Sequence, residues 1–228
     1  MRGYVAESGV EEVCLEYFAD LGWQVLHGPD IAPDEPKGER PSYRDVLLEG
    51  RLRDAISWLN PQLTSEAVDL VVATVRRPES ADVMAENWRV YRLLTQGVPV
   101  EVRNNAGEAR HDLARLIDFE RPERNDFVVV NQMSVEQDNK TRRPDVLAFV
   151  NGLPLGLIEL KVPGQERATL RGAWNPATYL RCTDPCASCI HRRERHLHGH
   201  ASKDGCARRQ VRALRTVEDH RRYNTCPT

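Results

Sequence analysis

The segment RRPDVLAFVNGLPLGLIELK, from Arg142 to Lys161, is the most apolar stretch of the chain, yet it carries two carboxylates and an ammonium. Asp145 stands near its start; Glu159 and Lys161 stand near its end. Glu159 and Lys161 are two residues apart, so on a strand both project to one side and Leu160 points into the core. Asn151-Gly152 is a strong two-residue hairpin signal. Antiparallel pairing through that turn returns Asp145 to the level of Glu159 and Lys161. Two carboxylates at close range repel unless a cation lies between them, and hard oxygen donors suit Mg²⁺, with Mn²⁺ as a substitute. A metal held in this way lowers the pKa of a bound water and neutralises charge on a phosphate in transfer. Lysine, a compact point charge, can steady the water and the phosphate. A Glu and a Lys at a strand end also suit a plain solvated edge, and the residue types alone leave both open.

The elements that must hold this hairpin are legible around it. VEEVCLEYFADLG (10–22) places Val10, Val13, Cys14, Tyr17, Phe18 and Leu21 at helical spacing and stops at Gly22. WQVLHG predicts a short strand, followed by a Pro-rich loop. Helices are predicted over Tyr43–Leu59, 65–77 and 81–97, the last closed by Gly97. The period then changes. VPVEV alternates, DFVVVNQMSVEQ (126–137) is β-branched enough for one or two strands, and PDVLAFV and PLGLIELKV complete the hairpin. Helices followed by consecutive strands predict an α/β class with a mixed sheet flanked by helices.

Hydrophobic residues make up 40% of the 228, enough for a sizeable core, and the net charge of −2 means any nucleic-acid contact must come from a local patch. No apolar run is long enough to span a membrane, and MRGYVAESGVEEV lacks the apolar centre of a secretory signal, so a cytoplasmic location is expected. One cysteine, Cys14, in the first 180 residues fits a reducing compartment.

RPDVLAFVNGLPLGLIELK resembles the PD-(D/E)xK nuclease motif as it occurs in the R subunit of type I restriction enzymes. VEEVCLEYFADLGW, YRDVLLEGRLRDAISWLNPQL, ENWRVYRLLTQGVPVEV and RLIDFERPERNDFVVVNQMSVEQDNKTRRPD resemble successive pieces of that family's N-terminal region, so the likeness covers about residues 4–175. The resemblance implies a restriction-endonuclease-like domain over 1–175 that hydrolyses DNA phosphodiesters. It assigns Mg²⁺ to Asp145 and Glu159, assistance of hydrolysis to Lys161, and completion of the site to Glu11. Glu12 and Glu16 lie close to Glu11 on the same helix. Lys140, Arg142 and Arg143 are the nearest basic cluster for DNA phosphates, or alternatively a solubilising surface. The family's Gln-x-x-x-Tyr element falls on AWNPATYL, which keeps Tyr179 but carries Pro176, a helix breaker costing about 3 kcal/mol. Partner subunits of the family supply specificity and methylation.

In that family the chain continues as an ATP-driven, DNA-translocating motor. No Gly-x-x-x-x-Gly-Lys-Ser/Thr loop occurs in this sequence, so ATP is expected only for the intact family member. Residues 176–228 are instead rich in Cys, His and Arg. Cys182, Cys186, Cys189 and Cys206 with His191, His196, His198 and His200 could form a zinc module, which would make the chain a zinc-binding nucleic-acid adaptor. Out-of-frame translation of GC-rich DNA yields the same composition. Leu214 to Thr225 can be encoded so that the next frame resembles the stretch before the family's motor, and a truncated or frameshifted, irregular tail is the expectation. A non-catalytic remnant that binds DNA or a partner is the alternative to a nuclease.

Overall fold

A computed structural model describes residues 7–103, 109–137 and 139–160. Its helices are α1 (Glu7–Asp20), α2 (Glu49–Leu59), α3 (Ser65–Arg76) and α4 (Val83–Gln96). The strands run in pairs and singles between them: β1 (Gln24–His27), β2 (Val98–Arg103), β3 (Ala109–Ala114), β4 (Phe127–Asn131), β5 (Val135–Gln137), β6 (Lys140–Arg142), β7 (Val146–Val150) and β8 (Leu153–Ile158). Four of them form a sheet in the order β1-β4-β7-β8, with β1 parallel to β4 and the other neighbours antiparallel. The pairs β2–β3 and β5–β6 stand as two-stranded ribbons. This mixed sheet with flanking helices is the class that the sequence predicts and is compatible with a restriction-endonuclease-like fold.

Val128, Val129 and Val130 are all fully buried because the sheet is covered on both sides. Val129, Val146 and Ala148 pack under α1 with Phe18. Val128, Val130, Leu147 and Phe149 pack on the other side with Ile31, Val46, Leu48 and Met133. A third cluster joins α2, α3 and α4 to the β2–β3 ribbon. The segment before α2 threads between the last two clusters: Val46 and Leu48 enter one, while Leu47 enters the other. Alternate residues facing opposite ways require extended backbone, so the helix predicted from Tyr43 begins only at Glu49. The Leu48 N–H donates to the Gly152 carbonyl at 3.0 Å, docking this segment on the hairpin turn. A Cβ at Gly152 would lie 2.4 Å from the Leu48 carbonyl oxygen, which only glycine avoids.

Three further differences concern positions near the candidate residues. Helix α1 is present, but Val13, Tyr17 and Leu21 are exposed, and the sheet-facing stripe is Glu11, Cys14, Leu15 and Phe18. The strand predicted over 154–162 ends at Ile158. Lys140–Arg142, expected only as a basic cluster, is a strand paired with β5. No helix among the described residues is long and apolar enough to cross a membrane.

Candidate active site

The β7–β8 hairpin turns at Asn151 (φ 54°) and Gly152 (φ 75°), the two left-handed residues that a type I′ turn demands. From Val150↔Leu153 and Phe149↔Pro154 the register slips to Ala148↔Gly156 and continues to Val146↔Ile158. Leu155 is therefore an extra residue on β8, a bulge. Without it Asp145 would lie opposite Ile158. With it, continuing the register one step beyond Val146↔Ile158 would set Asp145 opposite Glu159. Residues directly opposite on antiparallel strands share a side of the sheet. The paired register stops at Val146↔Ile158, and beyond it the Leu160 N–H donates to Asp145 Oδ2 at 2.6 Å. Glu159 Oε2 is shielded from solvent, and Leu160 is buried as the alternation predicts.

The same end of the sheet collects polar side chains from every strand. His27, Asn131, Val146 and Ile158 form one row across β1, β4, β7 and β8. Beyond it the Gln132 N–H donates to the Asp145 carbonyl at 3.1 Å. Glu11 leans in from α1. Its Oε1 accepts from Asn131 Nδ2 and its Oε2 from Gln132 Nε2, each at 2.7 Å. The Oδ1 of Asn131 faces His27 Nδ1 at 3.1 Å. Glu12 and Glu16 are exposed, so the sheet-facing position separates Glu11 from its two neighbours. Burial, then the charges of Glu11 and Asp145, push the Cys14 thiol above its ordinary range, which places both carboxylates in the field of one side chain.

A groove of about 580 Å³ runs along this end, lined by Glu11, His27, Asn131 and Gln132 together with the exposed Glu12 and Glu16. A slightly larger hollow, about 640 Å³, surrounds Arg51 and Asn151 at the opposite end of the hairpin and contains none of the predicted site residues. Lys140, Arg142 and Arg143 are exposed on and beside β6, the strand that leads into Asp145. Lys161, Tyr179 and the cysteines and histidines of the 176–228 segment lie outside the described residues, as does the expected boundary near residue 175.

Among the described residues no three His, Cys, Asp or Glu side chains are grouped as a metal cage. Asp145 and Glu159 offer two carboxylates and nothing softer. That set fits Mg²⁺, which keeps several waters and takes one or two protein carboxylates, and does not fit a structural zinc site. Sequence reasoning missed Asn131, Gln132 and the Leu155 bulge. The visible signal for the first two is an apolar β-branched run, FVVV, that ends abruptly in two amides.

Residues 4–178 match the model of the family described as type I restriction enzyme R protein N terminus. The chain belongs to that family. This R-protein N-terminal chain is 39% identical over 170 residues to the type I restriction enzyme HindI endonuclease subunit of Haemophilus influenzae, covering 74% of its own length. It is 36% identical over 169 residues to a putative type I restriction enzyme MjaIXP endonuclease subunit of Methanocaldococcus jannaschii, covering 73%. It spans 16% of the length of each of these two curated relatives.

Proposed function

We propose that this chain carries the nuclease centre of a type I restriction R subunit, hydrolysing DNA phosphodiesters with Mg²⁺ held by Asp145 and Glu159. The observation that supports the proposal is the bulged register, whose continuation past Val146↔Ile158 would set these two carboxylates opposite each other, with Glu11 at the same sheet end. Like charges so placed favour a divalent cation over a second hydrogen-bond donor. Bound Mg²⁺ supplies charge neutralisation at the phosphate and a more acidic water. Water adds to phosphorus, the P–O bond to the leaving oxygen breaks, and the proton released by the water ends on that oxygen. Lys161 orients the attacking water, and Glu11 completes the acidic set. Lys140, Arg142, Arg143 and Tyr179 contact phosphates and carry no sequence information, so target choice comes from partner specificity and methylation subunits.

Calorimetric Mn²⁺ titration of the 228-residue chain tests the centre. Asp145→Asn and Glu159→Gln should each weaken binding by at least about tenfold, as loss of a charged ligand does. Lys161→Ala should bind as tightly as the wild type or slightly tighter, because a nearby cation has gone. Identical isotherms for all four proteins would overturn the nuclease centre and leave a DNA- or partner-binding module.

A further inference from the structure

Among the described residues three non-glycine positions have positive φ: Asn139, Asn151 and Gln132. Two are asparagine, the residue type that tolerates left-handed backbone in turns. Gln132, at φ 55°, is not explained by turn chemistry. Its side chain and its main chain both are engaged at the acidic end of the sheet. Nε2 donates to Glu11 Oε2 at 2.7 Å, and the backbone N–H donates to the Asp145 carbonyl at 3.1 Å. One residue thus joins α1 to β7, and its neighbour Asn131 holds the second oxygen of the same carboxylate. Backbone strain kept where one residue's side chain and main-chain N–H reach two acidic residues is the pattern of a site whose geometry is over-determined by its surroundings.

We infer that Gln132 is a positioning residue, holding the Glu11 carboxylate in fixed relation to Asp145. The inference rests on the metal-centre reading above and adds to it the means by which the helix-borne carboxylate is kept in place. The two amide donors occupy about half of the lone-pair sites of Glu11, leaving the others for a water or a cation. The left-handed backbone turns the chain after β4, so that the amide of residue 132 can follow that of residue 131 onto one carboxylate. Glycine would adopt this φ with less strain and would lose the contact.

Two measurements on the 228-residue chain decide the matter. The first needs no metal: melting temperatures of the wild type, Gln132→Gly, Glu11→Ala and the double variant. In the Glu11→Ala background only the strain is left for Gln132→Gly to relieve, so it should raise the melting temperature more there than in the wild type. Equal shifts in both backgrounds would overturn the contact. The second is Mn²⁺ titration, in which Gln132→Gly should weaken binding by about tenfold while melting close to the wild type. Gln132→Asn keeps a residue suited to left-handed backbone but is one methylene too short, and should show the same loss. Unchanged affinity in both variants would overturn the positioning role even if Asp145→Asn abolishes binding. If Asp145→Asn instead leaves the isotherm unchanged, the metal centre is what fails, and the melting cycle alone decides whether Gln132 holds Glu11.

Discussion

The β7–β8 hairpin is polar at both ends, and the two ends are built on opposite principles. At the turn, Asn151 is fully buried and every polar atom of its side chain is used. Its Oδ1 accepts from the Asp126 N–H at 2.7 Å, and its Nδ2 donates to the Leu116 carbonyl at 2.7 Å and to Asn125 Oδ1 at 2.9 Å. Beside it Arg51 lies between Glu39 and Asp126, a guanidinium with a carboxylate on each flank. Donors meet acceptors and positive meets negative. At the open end the described contacts of Glu11 are the neutral amides of Asn131 and Gln132, and Asp145 Oδ2 accepts from the Leu160 N–H. A satisfied buried network stabilises a fold. The metal centre proposed above would give the open end a different use, since functional sites keep charged groups for what they bind.

The comparison breaks most easily at the turn. Asn151→Ala strands the Asp126 N–H and the Leu116 carbonyl, at about 1–3 kcal/mol for each buried group left unpaired. For a domain of this size that lowers the melting temperature by roughly 4–24 °C, from about 2–4 °C per kcal/mol. The Mn²⁺ isotherm below the transition should stay as in the wild type. A melt within one degree of wild type, measured by circular dichroism, would mean that the turn end is not the stabilising one.

A smaller effect concerns Asp118, whose backbone carbonyl accepts from Asn125 Nδ2 in the same network. Burial pushes its carboxyl up, but the N–H groups of Arg121 and Glu120 and the charges of Arg121 and Arg124 outweigh this and hold it below the ordinary carboxylate range. The ionised form is therefore the one the fold favours. Its stabilisation is complete above about pH 4, where the unfolded carboxyl is also ionised, and drains away as pH falls through the lower folded value. Asp118→Asn should melt a few degrees below the wild type at pH 7, and the gap should close in acid. A gap that is the same at pH 7 and pH 2.5 contradicts this.

The smallest effect reports on the open end. With its thiol raised by burial, Glu11 and Asp145, Cys14 should alkylate slowly with iodoacetamide at neutral pH, followed by mass spectrometry of the peptide carrying residue 14. Glu11→Gln should speed that reaction modestly. No change would place Glu11 outside the field of the thiol.

Much of this was legible in the sequence, for physical reasons that can be named. The hairpin was visible because Asn151-Gly152 satisfies φ demands that few other pairs meet. Helices α3 and α4 were visible because each buries an apolar stripe at helical spacing, Val68, Val71, Val72 and Val75 in one and Val90 and Leu93 in the other. The start of α2 was not, because Val46, Leu47 and Leu48 read as part of a helical face while in fact dividing between two cores. Residue type alone does not separate Glu11 from Glu12 and Glu16; the family resemblance pointed to Glu11, and the stripe of α1 that meets the sheet gives the physical reason. The Leu155 bulge has no local signature beyond the adjacent Gly156, yet it shifts the register of every pair from Ala148↔Gly156 to Val146↔Ile158. Asn131 and Gln132 are ordinary amides until the parallel pairing of β1 with β4 puts α1 above them.

The separations along the chain give the site an order of assembly. Asp145 and Leu160 are 15 residues apart, so closing the hairpin brings their contact together from nearby chain. Glu11 and Gln132 are 121 residues apart. Bringing that second pair together costs about 2 kcal/mol more in loop-closure entropy, from the logarithmic dependence on loop length. Long-range pairing of this kind is slow compared with hairpin formation. During synthesis the helix that bears Glu11 leaves the ribosome first, yet its carboxylate reaches its amide partners only after β4 has followed and paired with β1. The acidic pair can be set by a local event; its third member is supplied only by a chain that has finished folding.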